Sequence, residues 1–342
     1  MLTVAYIGFG VSVREYHIPY VENRDDIKVK YVYRRSEDIA DFAAYEPFYP
    51  EIIFTTRLED ILEDEEVNLV VVNTPDRFHV PYTMQALKAG KNVLCEKPFA
   101  PTSDEAKEVF AYAKEKGLLC TVNQNRRYDA DFLALKEVLK SGKLGEIVRL
   151  ESHYDYYKPN GWYDHLGTLY NLGVHTTDQM ISLFGTPDRV HLDVWSIAHP
   201  KAGDDYYDLD LYYGRNKVTV STSMNVLIDY PRFTVHGTRG SLTFPPALHN
   251  SAKKKVVGRH QVSFADAPEE RWGTLVYMNE QNEKVTEKVK VGCAHYEKVY
   301  ENIIDVLNQK AEKAIRDEEV VTVLTLLEEA TLEARKSWER DE

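Results

Sequence analysis

The opening of the chain constrains its fold more than any other stretch. A short β-rich run, Leu2–Ile7, ends directly in Gly8-Phe9-Gly10, and a helical stretch follows through about Glu22. Glycine at the first of these places permits a tight turn, and glycine at the third lets a ligand approach the backbone closely. The helix behind the turn aims its first N–H groups back into that space, which suits an anion. The third glycine of the full G-x-G-x-x-G pattern is missing, and Val13 stands in its place. Two glycines alone would serve a purely structural turn equally well. Their setting, between a first strand and a helix, is what points to a nucleotide.

The next hundred residues repeat that alternation. Strands are predicted at Ile27–Tyr33, Ile52–Thr55, Val67–Val72, Asn92–Cys95 and Leu118–Val122. Helices fall between them at Ile39–Ala44, at Leu58–Leu62, from near Pro81 to Ala89, and from a Ser103 cap to Gly117. Val67–Val72 is apolar throughout, as a strand buried on both faces of a parallel sheet should be. The order predicts a doubly wound parallel sheet of the Rossmann type over residues 1–122. Residues 123–342 read differently. A helix at Asp131–Lys140, a long strand at Glu146–Tyr157, a helix at Leu172–Phe184, several strands of period two between Arg189 and Val289, and closing helices at Tyr296–Asn308 and Glu318–Trp338 predict an α+β domain. Its sheet should be large, open and mostly antiparallel.

Composition removes several classes of function. The 342 residues suit two domains, and 42 basic against 55 acidic residues leave a formal charge of −13. That balance argues against nucleic acid, because the only basic cluster, Ser251–Val257, is short. No apolar run approaches the roughly 20 residues of a membrane helix. The first residues carry no basic region or cleavage site of a signal peptide, so a cytoplasmic location is expected. Cys95, Cys120 and Cys293 form no metal-binding pattern, which predicts neither a disulfide framework nor a metal site. Tyrosine is abundant, 23 residues against 12 phenylalanines. Several phenols flank the segment between Tyr154 and Tyr170.

Three further signals carry chemistry. The second strand ends in Tyr33-Arg34-Arg35-Ser36, where an NAD-specific site would hold an acid for the ribose 2′-hydroxyl. Two arginines and a hydroxyl suit a 2′-phosphate instead, so NADP(H) is favoured over NAD(H). Glu96-Lys97-Pro98 follows the fifth strand, at the sheet edge where ligands bind. A lysine there can hold a substrate oxygen and stabilise an alkoxide. Asn171-Leu172-Gly173-Val174-His175 places an amide and an imidazole four residues apart, on one side of a helix if the helix has begun. The histidine can exchange a proton with a hydroxyl.

Four motifs stand in order: GFGxxxxxxH (Gly8 to His17), TPxxxH (Thr74 to His79), AGKNVLCEKP (Ala89 to Pro98) and LGVHxxDQ (Leu172 to Gln179). Together they resemble the glucose–fructose oxidoreductase / inositol dehydrogenase / MocA (Gfo/Idh/MocA) family along nearly the whole chain. The segments QNRRYDADF (Gln124–Phe132) and RFTVHGTRGS (Arg232–Ser241) are similar to the subgroup that contains NADP-dependent scyllo-inositol dehydrogenases. The resemblance implies that Lys97 lies near the nicotinamide and that His175 is the acid/base. It implies that Gly8, Phe9, Gly10, Arg34, Arg35, Ser36, Thr74, Pro75, His79, Glu96, Lys97 and Gln124 serve the cofactor, with Glu96 on the nicotinamide ribose. Asn123, Arg127, Tyr154, Asp155 and Trp162 stand where hydroxyls of a sugar would be met, beside Lys97, Asn171 and His175. Many members carry aspartate where Asn171 stands. An amide can hydrogen-bond a hydroxyl but cannot offset an imidazolium.

An NADP(H)-dependent oxidoreductase of a sugar or cyclic polyol is therefore expected, assembled as a homodimer or homotetramer through the C-terminal sheet. Two other readings stay open: a cofactor-binding regulator or pseudoenzyme of the same fold, and a reductase of a non-sugar carbonyl or imine. Turnover with inositols or aldoses separates them.

Overall fold

The computed structural model describes residues 1–158, 167–197, 203–247 and 258–338. Strand and helix alternate from the start: β1 (Leu2–Ile7), α1 (Ile18–Val21), β2 (Ile27–Tyr33), α2 (Ile39–Phe42), β3 (Ile53–Thr55), α3 (Glu59–Leu62), β4 (Leu69–Val72), α4 (His79–Lys88), β5 (Asn92–Cys95), α5 (Ser103–Glu115) and β6 (Cys120–Val122). There follow α6 (Ala130–Lys140), β7 (Ile147–His153), α7 (Val174–Phe184), β8 (Arg189–Trp195), β9 (Tyr206–Tyr213), β10 (Asn216–Ser223), β11 (Phe233–Gly237), β12 (Gly240–Phe244), β13 (Gly273–Met278), β14 (Lys284–Val289), α8 (Glu297–Leu307) and α9 (Asp317–Trp338). The described residues divide into two compact units, one made of 1–125, 258–263 and 295–321, the other of the remainder.

The first unit is built on a six-stranded sheet in the order β3-β2-β1-β4-β5-β6, every neighbouring pair parallel. This is the strand order of dinucleotide-binding folds, and the order reverses between β1 and β4. The reason lies in the side chains. All six residues of β1 and all four of β4 are buried, so neither strand has a face fit for water. Ligands of such sheets bind beyond the carboxyl ends of the strands at the reversal.

The predicted helix after Gly10 forms, but its middle, Val13–His17, winds as a π-helix before α1 continues it to Val21. A second difference is the start of α5. Thr102, not Ser103, is its cap, with its hydroxyl accepting from Glu105 N at 3.2 Å. Ser103 is buried in the first turn, where its hydroxyl is no longer at the orphan N–H groups.

The second unit carries an eight-stranded sheet in the order β14-β13-β12-β11-β7-β10-β9-β8. Only β7 and β10 run parallel; the other pairs are antiparallel. One face is apolar, with Leu150, Leu209, Leu211, Val218, Val220 and Val235 in its core. Phe132 and Leu135 of α6, Met180 and Ile181 of α7, and Leu326 and Leu327 of α9 complete that core. Among the described residues no helix is long and apolar enough to cross a membrane.

Candidate active site

The glycine turn sits where the strand order reverses. Gly8 adopts φ +108°, donates its N–H to Tyr33 O at 2.9 Å, and lies so close to the end of β4 that a Cβ would fall 2.4 Å from Asn73 O. Gly10 differs. A Cβ there meets nothing within 4 Å, so its small size serves no protein neighbour and leaves open space above the backbone. At the carboxyl ends of the strands on the same side of the sheet several buried polar atoms have no partner: Nδ2 and Oδ1 of Asn73 and Oγ1 of Thr74 after β4, and Oε1 of Gln124 after β6. Buried polar atoms without partners are rare in folded proteins and call for an explanation. A dinucleotide, rich in both donors and acceptors, fits this edge.

The Glu96 carboxylate is the hub of the unit. Its Oε1 accepts from Ser12 Oγ at 2.6 Å, from Asn123 Nδ2 at 2.8 Å and from His17 Nε2 at 2.8 Å. Its Oε2 lies 3.2 Å from the backbone N–H of Lys97. A carboxylate only accepts, so His17 Nε2 carries a proton. The other ring nitrogen of His17 lies 2.6 Å from Tyr300 OH, which lies 3.0 Å from Tyr6 OH. Burial alone would push the Glu96 carboxyl up, but the hydrogen bond and charge of His17, then the Ser12 and Asn123 donors, hold it at about 2. Glu96 is thus an anion at every pH at which the protein would work. The network assembles the turn Glu96-Lys97-Pro98, whose Lys97–Pro98 bond is cis, against the glycine turn.

The neighbouring turn is fixed independently. His79 is buried, with Nδ1 2.7 Å from Pro98 O and Nε2 2.8 Å from Thr74 O. It therefore ties the segment after β4, including Pro75, to the one after β5. At the end of β2 the two arginines are both paired. Arg34 bonds Glu46, while Arg35 makes two 2.9 Å bonds to Asp38 and lies 3.2 Å from Glu37. Ser36 begins a single 3-10 turn there. The acids that meet these arginines follow them in sequence, and reading the strand end alone overlooks them.

In the second unit, Asn171 and His175 lie on one continuous helical stretch, but its first turn, Leu169–Gly173, is a π-helix that leads into α7. The wider turn alters the i,i+4 alignment that an α-helix would give them. Asn171 Nδ2 donates to Gly167 O at 2.7 Å, and His175 is buried. Asp178, one turn beyond His175, makes a two-pronged pair with Arg127 at 2.7 and 2.6 Å. Tyr154 OH accepts from Arg126 at 2.8 Å, and Asp155 Oδ1 accepts from Ser223 N at 2.9 Å. Trp162 lies outside the described residues.

Asp204 is a residue that sequence reasoning missed. Its Oδ2 accepts from Leu169 N at 2.7 Å, so it anchors the start of the helical stretch that bears Asn171 and His175. Burial pushes its carboxyl up, backbone donors pull it back, and the neighbouring Asp205 adds to the rise, leaving it at about 7. The folded value exceeds the value of about 3.9 expected when unfolded. Protonation therefore favours the fold: the contribution is complete below about pH 4 and is lost as pH rises through about 7. Asp204→Asn is expected to remove this slope. Urea midpoints across that range should converge on, or exceed, those of the unaltered protein at about pH 8. Parallel midpoint profiles for the two proteins would contradict it.

Among the described residues no cluster of three or more His, Cys, Asp or Glu could hold a metal ion. Fold and edge chemistry together define a dinucleotide-binding protein. The comparisons agree. The family described as "Oxidoreductase family, NAD-binding Rossmann fold" matches residues 2–124, and its partner, "Oxidoreductase family, C-terminal alpha/beta domain", matches residues 136–338. The chain belongs to the Gfo/Idh/MocA oxidoreductase family. It is 42% identical to the uncharacterized oxidoreductase YhhX of Escherichia coli, with 98% of each chain covered. It is 30% identical to the scyllo-inositol 2-dehydrogenase (NADP(+)) IolW of Bacillus subtilis, over 98% of this chain and 94% of that protein. The crystal structure of an oxidoreductase from Bacillus cereus superposes with a TM-score of 0.86 at 36% identity, covering 97% of this chain and 96% of that one.

Proposed function

We propose that the protein is an NADP(H)-dependent oxidoreductase acting on a hydroxyl or carbonyl of a sugar or cyclic polyol such as an inositol. The observation that carries the reading is the Glu96 hub, which holds the glycine turn, Lys97 and Asn123 at one sheet edge. Similarity to an NADP(+)-dependent inositol dehydrogenase supports the substrate class.

In this reading residues 1–122 bind the cofactor and 123–342 bind the substrate and a second copy of the chain. The backbone of Gly8–Gly10 and the helix behind it receive the pyrophosphate. Asn73, Thr74, Pro75, His79 and Gln124 line the remainder of the cofactor edge. When bound, NADP(H) supplies or accepts the hydride. Lys97 donates a hydrogen bond to the reacting oxygen and stabilises its alkoxide character. His175 takes or returns the hydroxyl proton, and Asn171 hydrogen-bonds a hydroxyl without charge. Asn123, Arg127, Tyr154, Asp155 and Trp162 are assigned to the substrate's other groups. For Asn123, Arg127 and Asp155 that role is shared with structural bonds. Glu96 acts on the ribose only through whatever Oε2 can accept beyond Lys97 N. A cytoplasmic homodimer or homotetramer completes the reading.

The test is a panel of inositols, aldoses and simple carbonyls, each with NADP(H) and NAD(H), followed by nicotinamide absorbance. Turnover is expected with a polyol or sugar, and faster with NADP(H). Tight dinucleotide binding with no turnover on any compound would favour a regulator instead.

A further inference from the structure

We propose that Arg14 is the cation that reads the 2′-phosphate of NADP(H). The inference deepens the reading above and rests on it. Sequence logic gives this task to Arg34 and Arg35, but each already holds carboxylates: Glu46 for the first, Glu37 and Asp38 for the second. Those five side chains together carry a net charge of about −1, which does not by itself attract a dianion.

Arg14 is different in kind. Among the described residues no carboxylate pairs with it. Its Nε reaches only Gly10 O, at 3.4 Å, and its Nη1 is buried with no acceptor. A buried guanidinium N–H left without an acceptor is costly. The side chain is kept in place by aromatic rings instead. Its guanidinium lies 3.7 Å from the ring centre of Tyr45 and 5.8 Å from those of Phe9 and Phe42. Stacking of this sort fixes the plane of the fork without drawing on its Nη donors.

The rings also decide which phosphate is met. Phe42 and Tyr45 belong to the connection between β2 and β3. Phe9 packs edge-on against Phe54 of β3 at 4.9 Å, and Arg34 lies 5.6 Å from that same Phe54 ring. One aromatic cluster therefore sets Arg14 beside the end of β2, where the adenosine ribose of a dinucleotide lies in this fold. The pyrophosphate has its own donors in the turn's backbone. A 2′-phosphate offers several oxygens to a planar fork, and a 2′-hydroxyl offers one neutral one.

The experiment compares the unaltered protein with Arg14→Gln and Arg14→Lys, each titrated with NADPH, NADH and the fragment 2′,5′-ADP. Arg14→Gln is expected to weaken NADPH and 2′,5′-ADP about 10- to 100-fold, the equivalent of one charged hydrogen-bonding partner, while NADH stays within about two-fold. Arg14→Lys should recover part of the loss. Equal weakening of NADPH and NADH, or no weakening of either, would overturn the assignment. Thermal midpoints without ligand, compared across the three proteins, separate loss of the fold from loss of the phosphate contact. If the unaltered protein binds NADH as tightly as NADPH, the cofactor preference itself fails and the role of Arg14 falls with it. If it prefers NADPH and Arg14→Gln keeps that preference, only the role of Arg14 falls.

Discussion

Lys97→Ala is expected to lower turnover about 100- to 1000-fold while NADPH affinity stays within about two-fold, because an electrostatic donor to a developing oxyanion acts on the transition state far more than on the bound cofactor. The structure favours so clean a separation. The backbone of Lys97 is held by the Glu96 carboxylate, and that carboxylate by Ser12, His17 and Asn123. None of these contacts uses the lysine side chain, so this backbone hold on the turn survives its truncation. Steady-state rates with the best substrate of the panel, set beside NADPH titrations of the same preparation, give both numbers. Near-normal turnover in Lys97→Ala would remove lysine from the chemistry. A parallel collapse of NADPH affinity would show instead that the side chain supports the cofactor edge.

Gly8→Ala should produce the largest change in stability of any conservative substitution at the site, a loss of roughly 2–4 kcal/mol. Two independent costs add here. A φ of +108° lies where L side chains are strained, and the new methyl would sit 2.4 Å from Asn73 O, a backbone atom that cannot swing aside. Relief would require β1 to part from β4 at their carboxyl ends, where Asn73 N bonds Ile7 O at 2.8 Å. Gly10→Ala is the control, since its Cβ would meet no protein atom. It should keep stability within about 0.5 kcal/mol of the unaltered protein and lose dinucleotide affinity. Urea unfolding of both variants checks the pair, and equal midpoints would mean that the turn can relax at no cost.

Much of the first unit was legible because its signals are local. Leu69–Val72 is apolar without interruption and is buried throughout, whereas the alternation of Val29, Tyr31 and Tyr33 marks β2 as a strand but not its buried side, since those three stay half-buried and Val32 is fully buried. Glycines at 8 and 10 name the turn, although their distinct reasons, crowding at one and openness at the other, exist only in three dimensions. The hub could not be read in the same way. His17 is visible as a motif residue, but its partner Tyr300 stands 283 residues away, and no local pattern announces such a pair. Asp204 likewise anchors Leu169 across 35 residues. The two π-helical turns escaped for another reason: they add one residue to a helical turn without changing the apolar spacing enough to be noticed. The pairing of Arg34 and Arg35 shows the opposite case, in which a local motif was plain and its charge already compensated by neighbours a few residues on.

The way Glu96 is satisfied bears on how this protein can diverge. One carboxylate oxygen takes three donors from two separate stretches of chain, Ser12 and His17 on the helix after the glycine turn and Asn123 after β6. Loss of any one donor leaves a partly buried anion short of a partner, and loss of the acid strands three donors at once. These four side chains are therefore energetically coupled. A change at Ser12, His17, Glu96 or Asn123 is expected to be tolerated only with a compensating change among the other three.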